Sequence, residues 1–353
     1  AALRGVDDRW LAGEVAAERL ADALAGTEGA ADRLAATAAD EDAGDELRAA
    51  TSVLSGARAA VERGIHTPRP HDVAWVASEP EPGAVTLHVA PAHVGQAVRR
   101  LVVERHRSVV LTSATLAVAG DLGFTAERLG VEDVAERLRL GSPFDFAAQA
   151  QLILPTDIAD PREPEFPADA AALVEEIARA IDGRTLVLFT SHAALRDVAS
   201  RLGALEDAGI AVLAQGLDGS RRALLDRYRA GRAVLLGTQS FWEGVDLPGE
   251  QLRCVVVARL PFAVPDDPLV AGRAERYDDP FREFHLPQAV LRLRQGFGRL
   301  IRRRTDRGSV VLLDRRVITQ QYGSVFLGSL PEATVRRATL GEIPSLVASW
   351  GVG

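Results

Sequence analysis

The sequence predicts an α/β protein built on a parallel sheet with helices on both faces, preceded by a mainly helical region. Three observations carry this. Short apolar runs recur from about residue 108: SVVLTS (108–113), AQLILP (150–155), TLVLFTS (185–191), IAVLAQ (210–215), AVLLGT (233–238), RCVVVARL (253–260) and SVVLLD (309–314). Amphipathic patterns lie between them, with Leu195, Val198 and Leu202 marking one helix and Leu224, Leu225 and Tyr228 another. The runs are continuously apolar, as strands are when crossover helices cover both faces of a sheet.

The elements follow in order. Residues 1–66 are Ala-rich, with Leu11, Val15, Leu20 and Leu24 at helical spacing. They are expected to form two or three helices, broken near Gly26–Gly29 and Gly44. TPRPHD (67–72) reads as a turn or linker. VAWV and AVTLHV flank ASEPEPG and read as two short strands around a loop. No internal repeat is present. Ligands of parallel sheets sit at the carboxyl ends of the strands. That draws attention to Thr112–Ser113–Ala114–Thr115, Thr190–Ser191, Thr238–Gln239 and Arg259.

At 353 residues the chain has room for two or more domains. No apolar run is long enough to span a bilayer, and the opening is not that of a secretory signal. Cys254 is the only cysteine, so an internal disulfide is excluded, as are an iron–sulfur cluster and a Cys-rich zinc site within this chain. That usage fits a cytoplasmic setting. Met is absent even at position 1, so a piece of a longer or trimmed protein is expected. Lys is absent too, and all 41 residues counted as Lys or Arg are Arg. The Gly-rich phosphate loop of nucleotide hydrolases needs a Lys, so this chain cannot contain one.

The net charge is −8, yet residues 292–307 hold seven Arg and one Asp. Excess acid lies elsewhere, including ADEDAGDE (39–46). In LPQAVLRLRQGFGRLIRR, Pro287 suits a helix N-terminus. Wound at about 100° per residue, Val290, Leu293, Phe297, Leu300 and Ile301 share one face. Arg292, Gln295, Arg299 and Arg302 share the opposite one. Gly296 and Gly298 cost about 1 kcal/mol each in a helix relative to Ala, so a close approach of backbone or ligand should offset them. A row of guanidiniums suits phosphate oxygens. A solvated basic face with glycines at a kink fits the same pattern.

LLGTQSFWEGVDLPG (235–249) offers Thr238 for a nucleic-acid phosphate and Asp246 for a ribose hydroxyl. It reads equally as a core Phe241 and Trp242 before a turn capped by Asp246. VVLTSATL (109–116) runs from a strand into small hydroxyl residues, which are also common at caps. His192 reads as a capping or surface residue, Cys254 as a small buried apolar one, and Trp10 and Trp75 as packing residues.

Together these stretches resemble the DinG and XPD branch of superfamily-two helicases. VLTSATL is similar to its motif III, VLFTS to motif IV, GTQSFWEGVD to motif V and QGFGRLIR to motif VI, with RLPFAVPDDPL and VVLLDRR between and after. The resemblance covers roughly residues 84–332, in order. It implies a second RecA-like domain over 119–353, the last strand of a first one within 96–118, and a helical arch-like insertion over 1–95. The first domain, with its phosphate loop and Asp-Glu box, would lie before Ala1. DEDA (40–43) is not that box, because no apolar strand precedes it.

The resemblance also implies roles. Arg302 and Arg299 would face the γ-phosphate of ATP bound with Mg2+, and Gln295 would position them or the attacking water. Asp246, Glu243, Gly244 and Gly298 would line the nucleotide. Thr238, Ser191, Thr190, Ser113 and Thr115 would touch the backbone of single-stranded or forked DNA. No metal ligand is expected in this chain, and a monomer without membrane association is. The implied function is the C-terminal half of an ATP-dependent DNA helicase of repair or replication, inactive alone. A non-hydrolysing nucleic-acid or protein-binding module on the same fold is the alternative.

Overall fold

In the computed structural model, the described residues are 14–38, 40–66, 72–78, 85–244, 246–247 and 249–350. They divide into two compact units. The first lies within residues 1–109, 128–131 and 264–280, and the second within 110–127, 132–263 and 281–353. Residues 264–280, grouped with the sheet in the sequence reading, thus fold with the first unit. No helix among the described residues is long and apolar enough to cross a membrane.

In the first unit, α1 (Glu14–Thr37) and α2 (Glu41–Val61) pack together. Arg58 of α2 bonds Glu28 of α1 at 2.9 Å and Glu62 at 2.8 Å. The expected breaks at Gly26–Gly29 and Gly44 do not occur, since each glycine lies inside a helix. The penalty of a helical glycine is small beside what a long helix gains by packing on a partner. α1 instead ends at Thr37, and the Asp40 carboxylate accepts from the Asp42 N–H at 3.2 Å and starts α2. DEDA therefore lies at a helix N-terminus. Strands β1 (Asp72–Ser78) and β2 (Val85–Pro91) pair antiparallel. Trp75 stacks on His88 with centroids 4.8 Å apart, a packing role. Trp10, the 67–71 turn and most of ASEPEPG lie outside the described residues.

The second unit holds a seven-stranded parallel sheet, ordered β5-β6-β4-β7-β8-β3-β9. Its strands are β3 (Ala150–Pro155), β4 (Thr185–Leu188), β5 (Ala211–Ala214), β6 (Ala233–Gly237), β7 (Cys254–Val257), β8 (Gly308–Leu312) and β9 (Thr334–Ala338). Six of them were legible as apolar runs. The seventh, β9, escaped because its sequence TVRRA is mostly exposed. It is an edge strand, and two arginines discourage pairing with another chain.

One predicted strand is absent. Residues 108–113 form no regular element, and Val110 is 87% exposed. An apolar run becomes a strand only where a neighbour supplies a ladder, and none of the described strands lies beside it.

Helices follow the strands in turn: α3 (Phe166–Ala180), α4 (His192–Ala199), α5 (Arg221–Ala230), α6 (Gln239–Trp242), α7 (Leu286–Phe297), α8 (Gly323–Ser329) and α9 (Ile343–Ser349). Alternate strand residues feed two cores. Leu186, Leu188, Leu235, Val255 and Val257 pack with Leu224, Trp242, Leu293 and Phe297 of α5, α6 and α7. Val187, Val234, Leu236 and Val256 pack with Val174, Ile177, Leu195, Val198 and Ile343 of α3, α4 and α9. Each such side chain contributes about 1.5–3 kcal/mol when fully buried. Cys254 sits in the second core, where burial pushes its thiol pKa up and leaves it inert.

The turn into β4 depends on Gly183, whose φ is +85° and whose added Cβ would stand 2.5 Å from the Ala233 backbone nitrogen. Gly183→Ala should therefore destabilise the second unit by about 2–3 kcal/mol, read as a lowered denaturation midpoint. An unchanged midpoint would show that the turn relaxes freely.

Candidate functional site

The arginine stretch begins as predicted, with Pro287 in the first turn of α7 and Val290, Leu293 and Phe297 fully buried. Gly296 is explained by a close approach. An added Cβ would lie 2.8 Å from the Trp242 ring, which is itself anchored by its Nε1–H to the Phe189 carbonyl at 3.1 Å. The helix then stops earlier than expected. Gly298 caps it, its N–H donating to the Arg294 carbonyl at 2.9 Å. Arg299 and Arg302 consequently follow α7 rather than extend one helical row with Arg292 and Gln295. Leu300 and Ile301 remain buried, so the predicted apolar side survives the break.

Two residues that pattern reading passed over organise this loop. Asp306 was merely the lone acid among arginines. Its carboxylate is buried and accepts from the backbone N–H groups of Arg302 and Arg303, both at 2.8 Å, and of Gly249 at 3.2 Å. Gln149 donates its side-chain amide to the carbonyls of Arg303, Arg304 and Asp306 at 2.9–3.1 Å. Both are ordinary polar residues in the sequence, and only their burial marks them.

The loop faces residues 243–246, which connect β6 towards β7. Arg302 Nε stands 3.9 Å from an Asp246 carboxylate oxygen. Arg299 bonds the Gln295 carbonyl at 3.1 Å. Burial lowers its pKa to about 10; the nearby charge of Arg302 acts in the same direction, while Glu243 and Asp246 oppose both. It remains charged at neutral pH. A third arginine, missed in the sequence, holds the facing loop. Arg221, first residue of α5, donates to the carbonyls of Glu243 (3.0 Å) and Gly244 (2.6 Å). Gly244 has φ +64°, and an added Cβ would meet the Arg221 guanidinium at 3.0 Å. Arg229 fixes the Asp246 carbonyl at 3.1 Å. The result is a cluster of guanidiniums, Arg221, Arg299 and Arg302, beside two exposed carboxylates. Such a cluster can compensate a polyanion through charge-assisted hydrogen bonds.

The hydroxyl residues divide into two groups. Thr190 and Ser191 follow β4 and Thr238 follows β6, so they share the carboxyl edge of paired strands. Ser191 caps α4, accepting from Ala194 N–H at 3.2 Å. Thr238 is buried, and Gln215 Oε1 accepts from both its N–H (2.8 Å) and its hydroxyl (3.0 Å). Its single hydroxyl proton is thereby used. His192 Nε2 stands 3.2 Å from Thr238 Oγ1. In this structure Thr238, expected at the DNA backbone, is tied to Gln215 and lies beside His192. His192 is the exposed member of that set. Ser113 and Thr115 lie apart from a strand end, in an exposed turn where Thr115 N–H bonds Ser113 Oγ at 3.3 Å. Arg294 of α7 donates to the Ala117 carbonyl just beyond. Among the described residues no cluster of His, Cys, Asp and Glu fits a metal ion.

Residues 174–333 match the family model of the helicase C-terminal domain. The chain is 41% identical over 276 residues to the 3′–5′ exonuclease DinG of Bacillus subtilis, covering 75% of this chain and 30% of that protein. It is 42% identical over 252 residues to the ATP-dependent DNA helicase YoaA of Escherichia coli, covering 70% and 39%. It is 38% identical over 288 residues to the ATP-dependent helicase DinG of Mycobacterium tuberculosis, covering 77% and 43%. The chain thus spans less than half the length of these relatives. The solved apo structure of XPD superposes with a TM-score of 0.53 at 19% identity, covering 71% of this chain and 53% of that one. That likeness shows the fold alone, a RecA-like parallel sheet with helices.

Asp306→Ala removes three accepted hydrogen bonds from a buried site and should cost about 2–4 kcal/mol in a denaturation experiment. Arg221→Ala should cost less than about 1 kcal/mol but speed amide hydrogen exchange across 243–247. Unchanged exchange there would remove Arg221 from the loop's support.

Proposed function

From a chain whose residues 174–333 form a helicase C-terminal domain, related in sequence to DinG and YoaA, we propose that it is the C-terminal half of an ATP-dependent DNA helicase. The observation that carries this is the arginine loop. The buried Asp306 carboxylate holds the backbone N–H groups of Arg302 and Arg303, and the Arg302 guanidinium lies 3.9 Å from Asp246 of the facing loop. A module that never met a nucleotide would have no use for that buried scaffold.

In this reading ATP with Mg2+ binds between this sheet and a preceding RecA-like domain that supplies the phosphate loop and the Asp-Glu box. Arg302 and Arg299 stabilise the charge that spreads over the transferred phosphoryl oxygens. Gln295 orients them or the attacking water, and Glu243, Gly244 and Asp246 line the nucleotide. Gly298 contributes by ending α7, so that the arginines leave the helix axis. The exposed 108–113 run supports the same reading, as the last strand of that preceding domain. Residues 1–95 correspond to the arch-like insertion.

Thr190, Ser191, Ser113 and Thr115 contact the backbone of single-stranded or forked DNA, with Thr238 acting through His192 and Gln215. Opening and closing of the cleft on hydrolysis would move the strand stepwise, in repair or replication. The intact protein works as a cytoplasmic monomer in this proposal, and this chain alone does not hydrolyse ATP. A binding module that keeps the fold without hydrolysis is the competing reading.

Arg302→Ala in the intact protein should lower DNA-stimulated ATP turnover by about a thousandfold or more, with single-strand affinity within about twofold. Because one relative is named an exonuclease, the same assay should follow strand length as well as ATP. Turnover that survives the substitution refutes the arginine assignment, and no turnover in the intact wild-type protein favours the binding module.

A further inference from the structure

The carboxyl edge of the sheet carries an aromatic stack beyond β7 and β8 that none of the roles above uses. Phe262, five residues after β7, lies against Phe281 with centroids 5.7 Å apart and planes 26° from parallel. Tyr322 meets both rings edge-on, at 5.7 and 5.3 Å. The fully buried Phe326 supports Phe262 from below at 5.6 Å. Two rings, backed by Phe326, thus hold Phe281, which is 40% exposed.

The surroundings are cationic on the outside. The Arg316 guanidinium lies 5.9 Å over the Phe262 ring. It is held by a two-point pair with Asp314, a carboxylate with no exposure that also accepts from Leu260 N–H at 2.9 Å. Arg162 is 75% exposed beside Asp160. Arg259, after β7, stands over Phe166. Asp160 and Asp314 are each paired with one of these arginines, Arg162 and Arg316, and Asp278, Asp279 and Glu283 flank Phe281 in the chain. Along the same edge, β7 neighbours β4, whose end carries Thr190 and Ser191. Hydroxyls, arginines and a stacked aromatic therefore follow one another along neighbouring strand ends.

The geometry points to a base-stacking site for single-stranded DNA on Phe281, with the strand's phosphates beside Arg162 and Arg316. This rests on the proposed DNA-binding reading and adds to it a contact with bases rather than with backbone. Every base has a π face, so the site binds without choosing sequence. A backbone-only track needs no open ring, and a purely structural stack would place its fourth ring inside.

The test compares this chain's affinity for a short oligothymidylate and for an abasic oligonucleotide of equal length and charge. Phe281→Ala should weaken the first roughly tenfold and leave the second unchanged. Phe281→Trp should keep thymidylate affinity and show fluorescence quenched by thymidylate but not by the abasic strand. Equal losses on both strands, or no loss on either, would overturn the stacking site while leaving DNA binding itself intact. Failure of the wild-type chain to bind either strand would overturn both.

Discussion

A carboxylate that accepts three backbone N–H groups cannot move without stranding all of them, and Asp306 is such a group. It joins the arginine loop to Gly249 on the way into β7. Gln149, at the amino end of β3, clamps the same loop from the carbonyl side. Two residues thereby tie the starts of three strands to one short irregular segment. The arginines need this because they have left the helix. In a helix the backbone would fix their spacing, whereas in a loop side chains must do so. The facing loop is held in the same manner, by Arg221 and Arg229 acting on carbonyls. The candidate nucleotide surface is thus two irregular segments, each immobilised through backbone groups, which carry Arg299 and Arg302 on one side and Glu243 and Asp246 on the other.

What the sequence revealed and what it concealed divide along physical lines. Five strands were legible because burial on both faces requires continuous apolar runs, and the edge strand β5 because its sequence is apolar although its first residues reach solvent. The buried side of α7 was legible through Leu293 and Phe297, and Gly296 marked a close approach. The helix end at Gly298 was not, because the buried Leu300 and Ile301 continue the helical spacing after the helix has stopped. Arg221, Gln149 and Asp306 were invisible because pattern reading registers side-chain polarity, while these residues act on distant backbone atoms. The glycines of α1 misled in the opposite direction: local propensity argued for a break where helix packing outweighed it. β9 was missed because an edge strand need not be apolar.

Thr238 shows why a residue type at a plausible position does not settle a role. Its place after β6 was right, but its one proton goes to Gln215. The polar set that reaches solvent there is His192 with Thr190 and Ser191, supported from underneath. The sheet edge is therefore organised in two tiers: an inner tier of buried Thr238 and Asp314 with half-buried Gln215 that fixes side chains, and an outer tier that can touch a ligand.

The unpaired run at 108–113 has a consequence for the chain as a material. Val110 and Leu111 stand exposed with their backbone outside any ladder. A β-prone, uncharged segment in that condition is a template for a like segment from another molecule. Arg105 and Arg107 immediately before this stretch supply the charge that opposes stacking.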